Sequence, residues 1–345
     1  MIFLLYSMKV SILLTSYNIE DWIDDSIRSV VEQDMPFEWE LLIGDDGSSD
    51  GTVSKILSWE KRFPDNIKLF ERERNGTCLK SGLRAARNRA ALLEKAKGEY
   101  IQFLDGDDVF TYSRKIRTQV AFLDNPDNKD CVCCGHNMEV YNVKTGNRRL
   151  LTKGIEPQKK YTINEYWGHY YYSTDTIMFR RVCLPKMLNE LYRDYLNDNF
   201  ITFIILQYGK IYYMDKVWAR YNVTGIGLWT GGNLVYGAFR NMQLFDLEMY
   251  LRPDLEREIF LKHGRNILTI KKYYAEKHVS SIDSLFRDVD GELFRFSFLL
   301  RRMNGLSKKE QKDKDLLFLK ASIAKYMAMF YAMKTRLQAC CGSHR

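Results

Sequence analysis

An α/β fold on a mostly parallel central sheet follows from three observations on this sequence. Over the first 130 residues, short apolar runs alternate with segments of helical spacing, the rhythm of strand–helix–strand units with right-handed crossovers. The polar clusters TSYN (15–18), DDGSSDG (45–51) and DGDD (105–108) each close an apolar run, at the strand ends where open α/β sheets bind ligands. A chain of 345 residues with 46% hydrophobic content can bury a core of that kind and carry a second region.

The elements follow in order. VSILLTSY (10–17) is continuously apolar and reads as a strand buried on both faces. Ile19, Trp22, Ile23, Ile27, Val30 and Val31 then recur at helical spacing. ELLIGDD (40–46) is a second strand, and Ser49 or Asp50 caps a helix over about 51–62. IKLFERE (67–73) is a third strand, followed by a helix through SGLRAARNRAALLEKA. YIQFLD (100–105) is a fourth, with SRKIRTQVAFLD as the helix behind it. From 131 the pattern is mixed: a Cys-rich strand, a turn at VKTGNRR, a helix near TINEYWGH and a strand-like STDTIMFRR. DNFITFIILQYG then reads as a helix and KIYYMDKVWARYNV as a strand. Beyond Asn233 the chain reads helical and basic; its last segment, 308–337, suits either packing on the core or lying on an anionic membrane.

The formal net charge of +8 suits nucleic acid, an anionic membrane face or a phosphorylated substrate, and charge alone does not choose. The basic residues are scattered rather than interleaved with aromatics on one platform, so nucleic acid is not an expected partner. The seven cysteines lack a disulfide framework and fit a reducing compartment. Cys133 and Cys134 point to opposite faces of a strand, so with Cys131 they read as small buried hydrophobes rather than metal ligands beside His136. MIFLLYS is short for a secretory signal; it extends the first strand or precedes a start at Met8. No run is long enough to cross a bilayer, so a soluble or peripheral protein is expected.

The stretch FLDGDD places three carboxylates in four positions, which repel unless a divalent cation, a basic side chain or solvent offsets them. Asp105, Asp107 and Asp108 are hard oxygen donors suited to Mg2+ or Mn2+, an ion that can neutralise a diphosphate leaving group. Asp45 and Asp46 can accept hydrogen bonds from a base N–H or ribose hydroxyls, while Asp50 suits a helix cap. Neither GxGxxG nor GxxxxGK[ST] is present. On the helix after the third strand, Arg87 and Asn88 are expected to reach a phosphate, and Lys80, Arg84 and Arg89 to be solvated.

Together TSYN, DDGSSDGT, ARN, GEYIQFLDGDD and NDNF resemble the family 2 inverting glycosyltransferases of the GT-A fold, across roughly residues 8–230. The resemblance implies a nucleotide-sugar-binding half over 8–130, an acceptor-binding and catalytic half over 131–232, and a helical basic appendage over 233–345. It implies that Thr15, Tyr17, Asp45 and Asp46 embrace base and ribose, that Asp105 lies near the ribose, that Asp107 contacts Mn2+ or Mg2+, and that Asp108 supports the loop. The family's acidic ED pair corresponds to Asn197-Asp198, which makes Asp198 the expected base, with Asp194 as the fallback. Thr224 stands where relatives carry a metal-binding histidine, and Asn222 where an arginine is common. Trp229 suits a lid over the donor; Trp167, His169, Ser173, Thr174 and Asp175 suit the acceptor side.

The implied activity is transfer of a sugar, UDP-linked by preference, to a glycan or lipid-linked glycan in bacterial surface-polysaccharide assembly. The expected place is the cytoplasm or the inner face of the membrane. A noncatalytic nucleotide-sugar-binding module and a nucleotidyltransferase are the alternatives. With no QxxRW segment and no membrane channel, a processive polymerase is not expected.

Overall fold

The structure is a computed structural model that describes residues 8–73, 81–189 and 192–225, with scattered helical positions between 238 and 266. Two units emerge: one of residues up to 166 with 170–231, the other of 167–169 with the chain from 232 onward.

The first unit alternates β1 (Val10–Ser16), α1 (Ile23–Val31), β2 (Trp39–Asp45), α2 (Thr52–Arg62), β3 (Ile67–Glu71), α3 (Ser81–Lys95) and β4 (Tyr100–Asp105). It continues through β5 (Val109–Phe110), α4 (Lys115–Asp124), β6 (Cys131–Asn142), β7 (Arg148–Leu150), β8 (Lys160–Tyr161) and α5 (Ile163–Tyr166). β9 (Met178–Arg180), α6 (Leu184–Met187), α7 (Asp198–Ile205) and β10 (Lys210–Val223) complete it. The sheet runs β3-β2-β1-β4-β9-β6-β10-β5, with β7 on β6 and β8 on β10. Its long ladders, among β1 to β4 and between β6 and β10, are parallel; β5, β7, β8 and β9 join by short antiparallel pairings.

The expected strands form because β-branched and leucine side chains pack on both faces: Val10, Ile12, Leu13 and Leu14 are all fully buried. α1 turns Ile23, Ile27 and Val30 onto that layer; each such side chain stabilises the fold by roughly 1.5–3 kcal/mol. Register then fixes the rim. Thr15 pairs with Gly44 on one side and Asp105 on the other, so the ends of β1, β2 and β4 lie level.

Three differences from the sequence reading matter. Only residues 163–166 of the expected helix near TINEYWGH are helical. In STDTIMFRR, residues Thr174–Thr176 form a 3-10 turn because the Ser173 hydroxyl accepts from the Asp175 N–H, and the strand begins only at Met178. The helix after β1 begins at Ile23, behind Asn18 in the left-handed region at φ 48°. Cys131, Cys133, Cys134 and Cys183 are buried free thiols, and His136 is buried with Nδ1 2.7 Å from the Asn137 carbonyl.

Within the second unit, the buried Trp167 indole donates to Glu248 at 3.1 Å, and His263 Nε2 lies 3.0 Å from the same carboxylate. The segment 267–345, with its expected membrane-facing face, lies outside the described residues. No helix among the described residues is long and apolar enough to cross a membrane.

Candidate functional site

The rim is organised first by the loop after β2. Asp45 is fully buried and accepts from Ser16 Oγ (2.9 Å), Gly47 N–H (3.0 Å), Ser48 N–H (2.7 Å) and Ser48 Oγ (2.6 Å). These donors fill its lone pairs, so the expectation that Asp45 holds base or ribose is corrected: it builds the turn. Gly47 sits at φ 77°, a conformation that suits glycine, as that turn requires. Asp46 is gripped in a fork by Arg84, Nε to Oδ2 at 2.7 Å and Nη2 to Oδ1 at 3.0 Å, with both residues buried. Arg84 is therefore not solvated.

Each residue turns α3 by about 100°, so neighbouring side chains leave in different directions. Asn88 is buried and donates Nδ2 to the Gly44 carbonyl at 2.7 Å, filling the space that a Cβ on residue 44 would need. It locks α3 to β2 and does not reach for a phosphate. Arg87 gives its fork to Asp194, at 2.8 and 2.9 Å. The phosphate expectation is corrected there too, and Asp194 is an ion-pair partner.

Arg89 points to the rim. Its Nη2 lies 3.0 and 3.3 Å from the two oxygens of Asp105 and 3.2 Å from Asp198 Oδ1, with Arg89 itself buried. Burial alone would lower its pKa; Asp105 and Asp198 outweigh that and raise it, so the guanidinium stays charged. Thr15 Oγ1 donates to Asp105 at 3.0 Å, and Tyr17 stands exposed beside this edge.

Asp105, Asp108 and Asp175 bring one carboxylate oxygen each to within 4.8 Å of one another. Asp107, the expected metal contact, is not in that group; it is half-buried, and burial followed by the Asp105 charge pushes its carboxyl up to about 7. Asp175, expected to face an acceptor, is instead fully buried under the turn, with Oδ1 accepting from the Asp105 N–H at 3.1 Å. Burial, and then neighbouring carboxylates, push Asp175 up to about 8 and Asp108 well above its ordinary range. At neutral pH the facing pair therefore shares a proton. The Oδ2 atoms of both residues are buried and meet no donor from the described protein, which leaves them open to a proton, a water or a cation.

The loop is pinned by Asn222, whose N–H donates to Asp108 Oδ1 at 2.9 Å and whose Nδ2 donates to the Asp107 carbonyl at 2.7 Å. Thr224 is buried, its N–H on the Asn222 carbonyl at 3.0 Å. Trp229 lies outside the described residues.

Asp198 opens α7, yet it is not the cap. Asn197 caps the helix, its Oδ1 accepting from the Phe200 N–H at 3.1 Å. That leaves the Asp198 carboxylate, 18% exposed, to accept from Tyr171 OH at 3.0 Å and Thr174 Oγ1 at 3.3 Å besides Arg89. Burial pushes this carboxyl up, Arg89 pulls it back, and Asp105 adds to the rise. Trp167 is fully buried and offers no face to a sugar, which corrects that expectation; His169 is exposed.

Sequence reasoning did not foresee the rim contacts of Arg84, Arg89, Asn222 and Tyr171. The signal for the arginines was their helical phase, which separates them from Arg87.

The family described as "Glycosyl transferase family 2" matches residues 11–188. The putative teichuronic acid biosynthesis glycosyltransferase TuaG of Bacillus subtilis is 40% identical over 114 residues, 33% of this chain and 41% of that protein. The UDP-Glc:alpha-D-GlcNAc-diphosphoundecaprenol beta-1,3-glucosyltransferase WfgD of Escherichia coli is 38% identical over 151 residues, 44% of this chain and 52% of that protein. The match thus spans about half or less of these curated relatives. Among solved structures, S. aureus TarS 1-349 in complex with UDP-GlcNAc aligns with a TM-score of 0.62 at 18% identity, over 95% of this chain and 92% of that one. The mannosyltransferase PcManGT from Pyrobaculum calidifontis, in complex with GDP-Man and Mn2+, aligns at 0.51 and 16% identity, over 94% and 88%. At such identities the likeness is one of fold.

Proposed function

This chain belongs to glycosyl transferase family 2, and on that premise we propose that it is an inverting enzyme that transfers a sugar from a UDP-linked donor to a hydroxyl of a glycan or lipid-linked glycan. The observation that carries the reading is the meeting, at the end of β4, of carboxylates from separate segments: Asp105–Asp108, Asp175 and Asp198. A helix cap or a structural acidic turn needs no such convergence. The UDP preference rests on the complexes of TarS and the donor named for WfgD, and the lipid-linked acceptor on the one named for WfgD.

The donor set fits a hard divalent ion. Asp105, Asp108 and Asp175 offer oxygen ligands, and the two Oδ2 atoms without a protein donor are open to such an ion. These residues, with Asp107 at the half-buried edge of the turn, would hold Mn2+ or Mg2+. Such an ion, when bound, neutralises charge on the departing diphosphate.

The chain's own residues do the rest. Tyr17, Thr15 and the Arg84-held Asp46 line the nucleotide side. Asp198, aimed by Tyr171 and Thr174, takes the proton of the acceptor hydroxyl. The acceptor oxygen bonds to the anomeric carbon as the bond from that carbon to the diphosphate oxygen breaks on the opposite face, and the configuration inverts. One base suffices, and no enzyme nucleophile is required. Action at the cytoplasmic face of the membrane follows from the lipid-linked acceptor and belongs to the same proposal.

The deciding experiment screens nucleotide sugars by thermal shift with and without Mn2+, then follows transfer and anomeric configuration by NMR. A UDP-sugar that raises the melting temperature, more so with Mn2+, and yields an inverted product supports the reading. Saturating nucleotide sugars that never bind, or a retained configuration, would sink it.

A further inference from the structure

Arg89 forms ion pairs with both the β4 end and the start of α7. Its guanidinium meets Asp105 at 3.0 Å and Asp198 at 3.2 Å, donates to the Leu196 carbonyl at 3.4 Å, and lies 6.0 Å from the Phe103 ring centroid. It therefore touches the donor-side carboxylate, the expected base, and the backbone just before the Asn197 cap. Its Nε–H is buried and finds no acceptor among the described residues. That desolvation returns no hydrogen bond, a cost the fold accepts to keep Nη2 between the two carboxylates.

We propose that Arg89 is a positioning residue for the transfer, a buried clamp that holds Asp198 ionised and directed and ties it to Asp105, so that donor-side carboxylate and proton acceptor are set as one unit. The inference rests on the reading of Asp198 as the base. Arg89 Nη2 meets both carboxylates while Nη1 is held by the Leu196 carbonyl; lysine supplies the charge at one nitrogen and loses that second anchor, so it cannot fix both carboxylates in the same geometry. The groups that face Asp198 are Arg89 from α3, Asp105 from β4, Asp175 and Thr174 from the turn before β9, and Tyr171. Arg89 is the cation among them.

The test uses the full chain in metal-free buffer, labelled with 13C at aspartate carboxyls, with the Asp198 resonance assigned through Asp198→Asn. In Arg89→Met the titration midpoint of Asp198 should rise by at least one pH unit, a tenfold loss of ionised fraction at a given pH. Arg89→Gln, which removes the charge with less change of shape, should do the same and serves if the methionine variant does not fold. Arg89→Lys should restore the midpoint while kcat stays at least tenfold low and the donor KM changes less than threefold. An unchanged midpoint in a folded Arg89→Gln or Arg89→Met protein overturns the clamp, as does a lysine variant with wild-type kcat. If no nucleotide sugar is turned over by the wild type, the functional reading falls, and the NMR midpoint still decides whether Arg89 sets Asp198.

Discussion

Asp175→Asn should flatten the dependence of stability on pH. The Asp175 carboxyl is fully buried and sits at about 8, against an ordinary value of 3.8, because burial and then Asp105 oppose its charge. An acid raised in this way keeps a proton that the unfolded chain has shed, so the folded state loses stability as pH rises from about 4 toward 8. Between pH 6 and pH 8 the slope is one proton, so the loss is about 2–3 kcal/mol. In a chain of this size that corresponds to a fall of roughly 5 °C in melting temperature. Asparagine keeps an oxygen for the Asp105 N–H and offers a donor toward Asp108 Oδ2, so it preserves the geometry while removing the titration. Differential scanning fluorimetry from pH 6 to pH 8, without divalent metal, should show a wild-type decline from which the variant is largely free. Equal slopes in wild type, Asp175→Asn and Asp108→Asn would refute the shared-proton account.

Asp198→Asn should lower kcat by about a thousandfold, within the range for loss of a general base, while the affinity for a nucleoside diphosphate measured by calorimetry stays within threefold. Asn88→Ala should cost about 1–3 kcal/mol in urea unfolding because it leaves the buried Gly44 carbonyl with only the long 3.5 Å contact from Ser16 Oγ as its side-chain donor, and should change nucleotide affinity little. Asn197→Ala should cost about 1 kcal/mol as a lost cap and also lower turnover, since Asp198 is aimed by the helix start it begins; a stability loss with full turnover would separate the two roles.

The four N-terminal strands were legible because continuous apolar runs of that length have few other solutions, and their polar ends announced the rim. NDNF marks the start of α7, and there Asn197 takes the capping role and leaves the Asp198 carboxylate out of it. Asp45 was misread because Gly47 and Ser48 supply donors two and three residues on, a local turn that the sequence pattern also permits. The arginines were misread because Arg84, Arg87 and Arg89 differ only in helical phase, and their partners lie as far as 107 residues away. Asp175 was hidden for a different reason. The Ser173 hydroxyl stops the strand early and tucks the aspartate under the acidic turn, whereas β-propensity alone would extend the strand through it.

The charge balance at the end of β4 connects these particulars to function. Five carboxyl groups, Asp105, Asp107, Asp108, Asp175 and Asp198, act on one another there, and each that gains a proton does so because burial and its neighbours oppose ionisation. Arg89 and the shared proton offset two of the five, and Asp107, pushed up to about 7, is roughly half protonated near neutral pH, leaving between about two and three negative charges. Such a site repels a diphosphate. On the proposed reading, binding of the donor therefore requires a further positive charge between ligand and protein, and the orphaned Oδ2 atoms of Asp108 and Asp175 mark where the protein is least compensated. It follows that nucleotide affinity should rise steeply with Mn2+, and that lowering the pH from 8 to 6 should recover part of that affinity without metal, because protons then occupy the same oxygens. Nucleotide affinity without metal that does not change between pH 8 and pH 6 would mean that the diphosphate binds away from these carboxylates.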